Sequence, residues 1–123
     1  MAKTRTIRIK NLLRNLGVPP HILGYIYATE AINYMVSNPN KALLINDVYS
    51  YVASIYMTSQ ACVEASIRNA VKKAAKFSTP LFEELFKNKQ SIGNHIFLTT
   101  LRDIFEQENL KYITQKLSYS YTL

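Results

Sequence analysis

Residues 44–76 read LINDVYSYVASIYMTSQACVEASIRNAVKKAAK, a segment whose two halves each have the periodicity of a helix. The first half, about Leu44 to Tyr56, places apolar residues at i, i+4, i+8 and i+11, the spacing of one helix face; they are Leu44, Val48, Val52 and Ile55. The second half, about Gln60 to Lys76, has an apolar face of its own, made of Val63, Ile67, Ala70, Val71 and Ala74. The connection, Met57-Thr58-Ser59, supplies hydroxyl side chains that suit an N-cap. Two amphipathic helices joined by a short turn form the helix-turn-helix pattern.

The rest of the chain predicts four more helices, because its few glycines and prolines fall between segments of helical periodicity. These helices are expected at about 6–16, at about 21–37, in a short segment starting at Ser78-Thr79-Pro80, and at about 94–108. Gly17 is a suitable stop for the first helix. Gly24 lies inside the second, where glycine costs about 1 kcal/mol relative to alanine, so another helix is expected to approach closely there. The predicted fold class is all-α, a six-helix, bundle-like domain.

The length of 123 residues fits one domain of ordinary size. We assign residues 1–110 to one helix-turn-helix domain and residues 111–123 to a C-terminal tail that contains three tyrosines. From the sequence, this tail fits a helical extension, a short strand or a disordered segment. The single cysteine, Cys62, cannot build a disulfide framework and fits a reducing compartment.

Positive charge is concentrated in the first two thirds of the chain. Residues 1–80 contain ten Lys or Arg and three Asp or Glu, whereas residues 81–123 contain five of each, so the whole net charge of +7 lies before residue 81. A localised positive field attracts polyanions such as nucleic acid or an acidic membrane surface. A solvated, solubilising surface explains the same charge equally well.

Residues that could carry catalysis or hold a metal are sparse. His21 and His95 have no Cys or carboxylate at ligand spacing, so no metal site and no cofactor is expected. The chain has neither a Gly-rich phosphate loop nor a nucleophile elbow, and it has no apolar run of membrane-spanning length or secretory signal. We therefore predict a protein that is not an enzyme, has no small-molecule substrate or membrane partner, and is cytoplasmic. The concentrated positive charge adds the expectation that it is nucleoid-associated.

The second helix of the helix-turn-helix carries side chains suited to double-stranded DNA. In such a unit this helix enters the major groove and its exposed N-terminal residues contact base edges. Arg can bind guanine with two hydrogen bonds, Asn can do so with adenine, and Glu can accept from cytosine; lysines suit phosphates. The predicted DNA-binding residues are Ser59, Gln60, Glu64, Ala65, Arg68, Asn69, Lys72, Lys73 and Lys76. Any amphipathic helix hairpin with a lysine-rich outer face would share this pattern.

Two stretches of sequence resemble a known effector domain. The string LGVPPHILGYIY at 16–27, followed by Glu30-Ala31-Ile32, resembles the opening of the C-terminal DNA-binding domain of the sporulation response regulator of endospore-forming bacteria. The likeness continues through the helix-turn-helix, with VEASIRNAV at 63–71, and covers roughly residues 9–108. It implies an all-α fold of six helices that binds short promoter boxes, often as tandem protomers.

The chain departs from this family at two positions of the second helix of the helix-turn-helix. Ala65 stands where the resemblance predicts an arginine, and Asn69 where it predicts a histidine, whereas Glu64 and Arg68 are retained. Because alanine cannot hydrogen-bond a base, the family's promoter box is expected to be read poorly or another box read instead. The receiver domain of the regulator is not expected in this chain, so phosphorylation would not control it in the family manner.

The leading hypothesis is a stand-alone transcription regulator related to sporulation initiation control, which binds promoter boxes sequence-specifically, as a homodimer or as tandem protomers. In it, Glu64, Arg68 and Asn69 face bases, while Gln60 and the lysines contact phosphates; Arg5, Arg8 and Lys10 are expected to add backbone contacts. The alternative is an interaction module that has lost DNA reading, pairs with a full-length regulator and modulates it. A third hypothesis is a non-specific nucleoid binder.

Overall fold

The structure, a computed structural model, describes residues 2–39, 44–87 and 91–121, with side chains for 3–39, 44–87 and 91–107. Across these ranges the chain forms helices and connecting turns with no strand, which confirms the predicted all-α class. The helices are α1 Ala2–Asn15, α2 Leu23–Ser37, α3 Ile45–Tyr56, α4 Gln60–Phe77, α5 Pro80–Phe86 and α6 Asn94–Tyr121.

The main difference from the predicted helix bounds is at the C-terminus. α6 continues to Tyr121 instead of ending near Glu108, so of the three alternatives for the tail the structure has the helical extension. α1 starts at Ala2, earlier than predicted, and α2 starts at Leu23, after a turn over residues 20–22. The loop residues 88–90 lie outside the described ranges.

The ends of α1 and α5 follow their local sequence signals. Gly17 has a φ of 93°, a left-handed conformation that glycine adopts without a Cβ penalty. The Val18 N–H donates to the Leu13 carbonyl and the Gly17 N–H to the Arg14 carbonyl, each at 3.0 Å, which is a Schellman ending. α5 begins as predicted: Thr79 Oγ1 accepts from the Phe82 N–H at 3.2 Å, and a proline follows at the first helical position.

α2 is the central helix of the core. It packs against α1, α3, α4 and α6, and its buried residues lie on most of its surface. Leu23 and Ile26 are exceptions, because both are exposed. The facing stripes of α1, α4, α5 and α6 are buried with it and include Ile9, Leu13, Val63, Ile67, Phe82, Phe86, Phe97 and Leu101.

The close approach predicted at Gly24 occurs between α2 and α4. An ideal Cβ built on Gly24 would lie 2.7 Å from the Cβ of Ala70 and closer still to the carbonyl oxygen of Ser66. Real Cβ atoms essentially never come under 3.0 Å, so only glycine allows this separation. Gly24 therefore sets the distance between the central helix and the second helix of the helix-turn-helix.

The apolar face predicted for α3 was wrong at both ends. Val48 and Val52 are fully buried, but Leu44 is 69% exposed and Ile55 is 44% exposed. Leu44 is the N-cap, outside the helix, and the buried side also takes in Tyr49 and Ala53. The centre of the buried side of α3 lies between two pairs of residues, Val48 with Val52 and Tyr49 with Ala53. Position 55 therefore lies at the edge of this side.

Candidate nucleic-acid interface

The turn between α3 and α4 is built on one left-handed residue. Met57 has φ 54° and ψ 48°, and its N–H donates to the Ala53 carbonyl. The Thr58 N–H reaches the same carbonyl at 3.0 Å. Ser59 then caps α4, because its Oγ accepts from the Cys62 N–H at 3.1 Å. The predicted N-cap is confirmed, and the Ser59 hydroxyl is used within the turn.

Gln60 fixes the start of α4 against α3. Its Nε2 donates to the Asn46 carbonyl at 3.0 Å, across the helix-turn-helix. Asn46 lies in the first turn of α3, so this bond joins the beginnings of the two helices. The sequence predicts a phosphate contact for Gln60; the structure places its amide on the neighbouring helix.

Except for Glu64, the other predicted residues lie together on the side of α4 opposite the core. Val63, Ile67, Ala70, Val71 and Ala74 are buried, which confirms the predicted inward face. Glu64 is half-buried at the border of the two faces. The exposed face consists of Ala61, Ala65, Arg68, Asn69, Lys72, Lys73 and Lys76, together with Ala75. Six of the nine residues predicted from the sequence thus form one exposed strip.

Arg68 and Glu64 are paired one helical turn apart. Arg68 Nη2 lies 2.8 Å from Glu64 Oε1, and the two side chains are 51% and 47% exposed. An ion pair on an exposed helix surface adds about 0.2–0.5 kcal/mol, so its effect on stability is small. Its structural effect is to restrain the guanidinium, which has five N–H donors and retains several for another acceptor.

Asn94, which sequence reasoning missed, connects α6 to both helices of the helix-turn-helix. Its Nδ2 donates to the Tyr49 Oη and to the Glu64 carbonyl, each at 3.0 Å. The pKa of the Tyr49 hydroxyl is raised above 10.0, mainly because the hydroxyl is buried. The hydrogen bond from Asn94 lowers this pKa, and the nearby Glu64 carboxylate raises it. The only signal in the sequence is its position, since Asn94 is the first residue of the predicted sixth helix.

A groove runs beside α4 toward the start of α6. Its lining includes Arg68 and Lys72 of α4 and Asn94 and His95 of α6. His95 and Lys72 are exposed, so both helices present polar groups to solvent there.

Two of the basic residues of α1 bind within the domain. Arg5 donates from Nε to Asn33 Oδ1 at 2.9 Å and from Nη2 to Ser37 Oγ at 2.6 Å, both on α2. The Arg8 guanidinium lies 5.9 Å from the centre of the Phe105 ring on α6, a cation–π distance. The structure thus gives both arginines a packing role, while Lys10 is exposed.

Among the side chains that the structure describes, no group of His, Cys, Asp or Glu lies close enough together to hold a metal ion. Within the same ranges, no helix combines the length and the apolarity that crossing a membrane requires.

Two helices joined by a three-residue turn, with the second exposing a basic strip, form the helix-turn-helix pattern that many DNA-binding domains share. Residues 9–104 match the protein family described as the C terminal of the sporulation initiation factor Spo0A. This match covers most of the chain, so the chain belongs to that family. The family consists of effector domains of transcription factors, and it is not a family of enzymes. The resemblance noted in the sequence is confirmed.

Proposed function

We propose that this domain binds double-stranded DNA sequence-specifically by placing α4 in the major groove, and that it regulates transcription in the control of sporulation initiation. The exposed strip of α4 carries the proposal, because one face combines base-reading side chains with lysines. The proposed base contacts are Glu64, Arg68 and Asn69; the proposed phosphate contacts are Lys72, Lys73 and Lys76. Gln60 is proposed to act by holding α4 on α3, through its bond to Asn46.

The Glu64–Arg68 pair supports a base-reading role for Arg68. A guanidinium held by a carboxylate on the same helix loses less side-chain freedom when it meets guanine O6 and N7. Lys76 lies in the last turn of α4, where a cation interacts favourably with the negative end of the helix dipole.

Promoter duplexes are the proposed partners, bound by a homodimer or by tandem protomers in the cytoplasm. Family membership supports this proposal, since the family consists of DNA-binding domains of a transcription factor. The alternative is that the domain pairs with a full-length regulator, and a domain that binds no DNA would favour this alternative.

The test is fluorescence anisotropy with duplexes selected from a random library, compared with scrambled duplexes at several salt concentrations. Arg68→Ala is expected to lower affinity for the selected duplex by about 1–3 kcal/mol and to relax its preference over the scrambled one. Lys73→Ala is expected to lower the affinity for the selected duplex and for the scrambled duplex equally. With three lysines on phosphates, the logarithmic salt slope is about −2.7, and each lysine removed reduces it by about 0.9.

Lys87→Ala is the matched control, because it removes the same charge from an exposed site just after α5, at a residue with no proposed DNA contact. It is expected to leave the preference and the slope close to those of the unsubstituted protein. An Arg68→Ala variant with full sequence preference would contradict the assigned reading face, and absence of binding to every duplex would contradict the proposal as a whole.

A further inference from the structure

The exposed strip of α4 is not polar throughout. Ala61 and Ala65 lie one helical turn apart on it, and both are exposed. They belong to the N-terminal half of the helix, the half that helix-turn-helix proteins direct at base edges. Arg68 and Asn69 follow Ala65 by three and four residues, so the same face continues into side chains that donate hydrogen bonds.

A methyl side chain can match only one feature of the major groove. Each base edge there presents hydrogen-bond donors and acceptors, and thymine adds an apolar C5-methyl group. Covering a donor or acceptor with alanine would leave it without a partner, which costs free energy. Against a C5-methyl group, the same alanine excludes water from two apolar surfaces and gains affinity.

We propose that Ala61 and Ala65 form an apolar reading pair that selects a pyrimidine C5-methyl group, next to the bases read by Arg68 and Asn69. Thymine carries this group, and so does 5-methylcytosine. The inference rests on the proposed function and specifies which base edges the N-terminal half of α4 selects. Alanine has no side-chain rotamers to order, so the contact costs no side-chain entropy.

The experiment uses the full chain and the best duplex from the library selection. Each thymine of its core is replaced singly by deoxyuridine, which removes the methyl group and keeps the base pair. At one or two adjacent positions, affinity is expected to fall about 4-fold, which corresponds to about 0.8 kcal/mol for one buried methyl group. At the same positions, a cytosine is expected to bind more weakly than its 5-methyl derivative, and this arm separates the methyl group from the rest of thymine.

In Ala65→Gly and in Ala61→Gly, the affinities for the thymine duplex and the deoxyuridine duplex are expected to become equal at one position each. The ratio of the two affinities is measured within one variant. A loss of helix stability lowers both affinities alike, so it does not change this ratio. Ala75→Gly is the matched control, an exposed alanine of the same helix outside the N-terminal half, and it should keep the ratio.

Selective binding with no response to deoxyuridine at any position would overturn the inference and leave the proposed function standing. A response that persists in both glycine variants would also overturn it, since another residue would then contact the methyl group. Equal binding to all duplexes would contradict sequence-specific recognition, and the inference with it.

Discussion

Replacing Gly24 by alanine is expected to push α2 and α4 apart. The new Cβ would meet the Ala70 Cβ at 2.7 Å and the Ser66 carbonyl oxygen at a still shorter distance. The carbonyl is backbone in the middle of α4, so it cannot rotate away as a flexible side chain would. Overpacking costs about 1–3 kcal/mol, and a contact with rigid backbone belongs at the upper end of that range. Alanine regains about 1 kcal/mol of helix propensity, which leaves a net loss of about 2 kcal/mol.

Urea unfolding followed by circular dichroism measures this loss. With a slope of about 1–3 kcal/mol per molar urea, the midpoint of Gly24→Ala is expected to fall by about 1 M. Gly93→Ala is the control, since nothing lies within 4 Å of a Cβ built there and its φ is not positive. If Gly24→Ala were as stable as the unsubstituted protein, or more stable, the close approach of α2 and α4 would not limit this position.

Three other perturbations test the turn and the contacts of α6. Met57→Gly is expected to raise the urea midpoint, because glycine adopts the left-handed conformation without the strain of about 1–2 kcal/mol that a side chain brings. The Met57 side chain is 93% exposed, so its removal costs little burial. A lower midpoint would contradict this. Asn94→Ala is expected to cost about 1–3 kcal/mol and to show a coupling energy above about 0.5 kcal/mol with Tyr49→Phe in a double-mutant cycle; additive effects would show that the bond between them is unimportant. Because the pKa of Tyr49 is raised above 10.0 in the folded state, the unfolded chain ionises first, and stability is expected to fall as pH rises past that value. Tyr49→Phe should make this alkaline decline shallower in urea titrations, and an unchanged decline would refute the assignment.

The parts of the structure that the sequence predicted depend on local signals. Ser59 and Thr79 mark helix starts because a hydroxyl cap acts on a backbone N–H three residues away. The inward face of α4 follows from its period alone, and Gly24 stood out because glycine is unfavourable inside a helix. Such signals act within one or two turns, so a single sequence shows them.

The contacts that the sequence did not predict join residues far apart in the chain. Asn94 bonds to Tyr49 and Glu64, which are 45 and 30 residues away, and Arg5 bonds to Asn33 and Ser37 across α1 and α2. Local patterns hold no information on such pairs. The α3 face was misassigned for a related reason: spacing alone did not show that Tyr49 and Ala53 share the buried side.

Three fixed contacts hold α4 in place: the packing at Gly24, the bond from Gln60 to Asn46, and the bond from Asn94 to the Glu64 carbonyl. A helix held in this way is already ordered before it meets a partner. Binding is therefore expected to be rigid-body docking, with its rate set by diffusion, orientation and electrostatic steering and not by a folding step. The ordering cost is then confined to exposed side chains, at about 0.5–1.5 kcal/mol for each lysine immobilised on the partner.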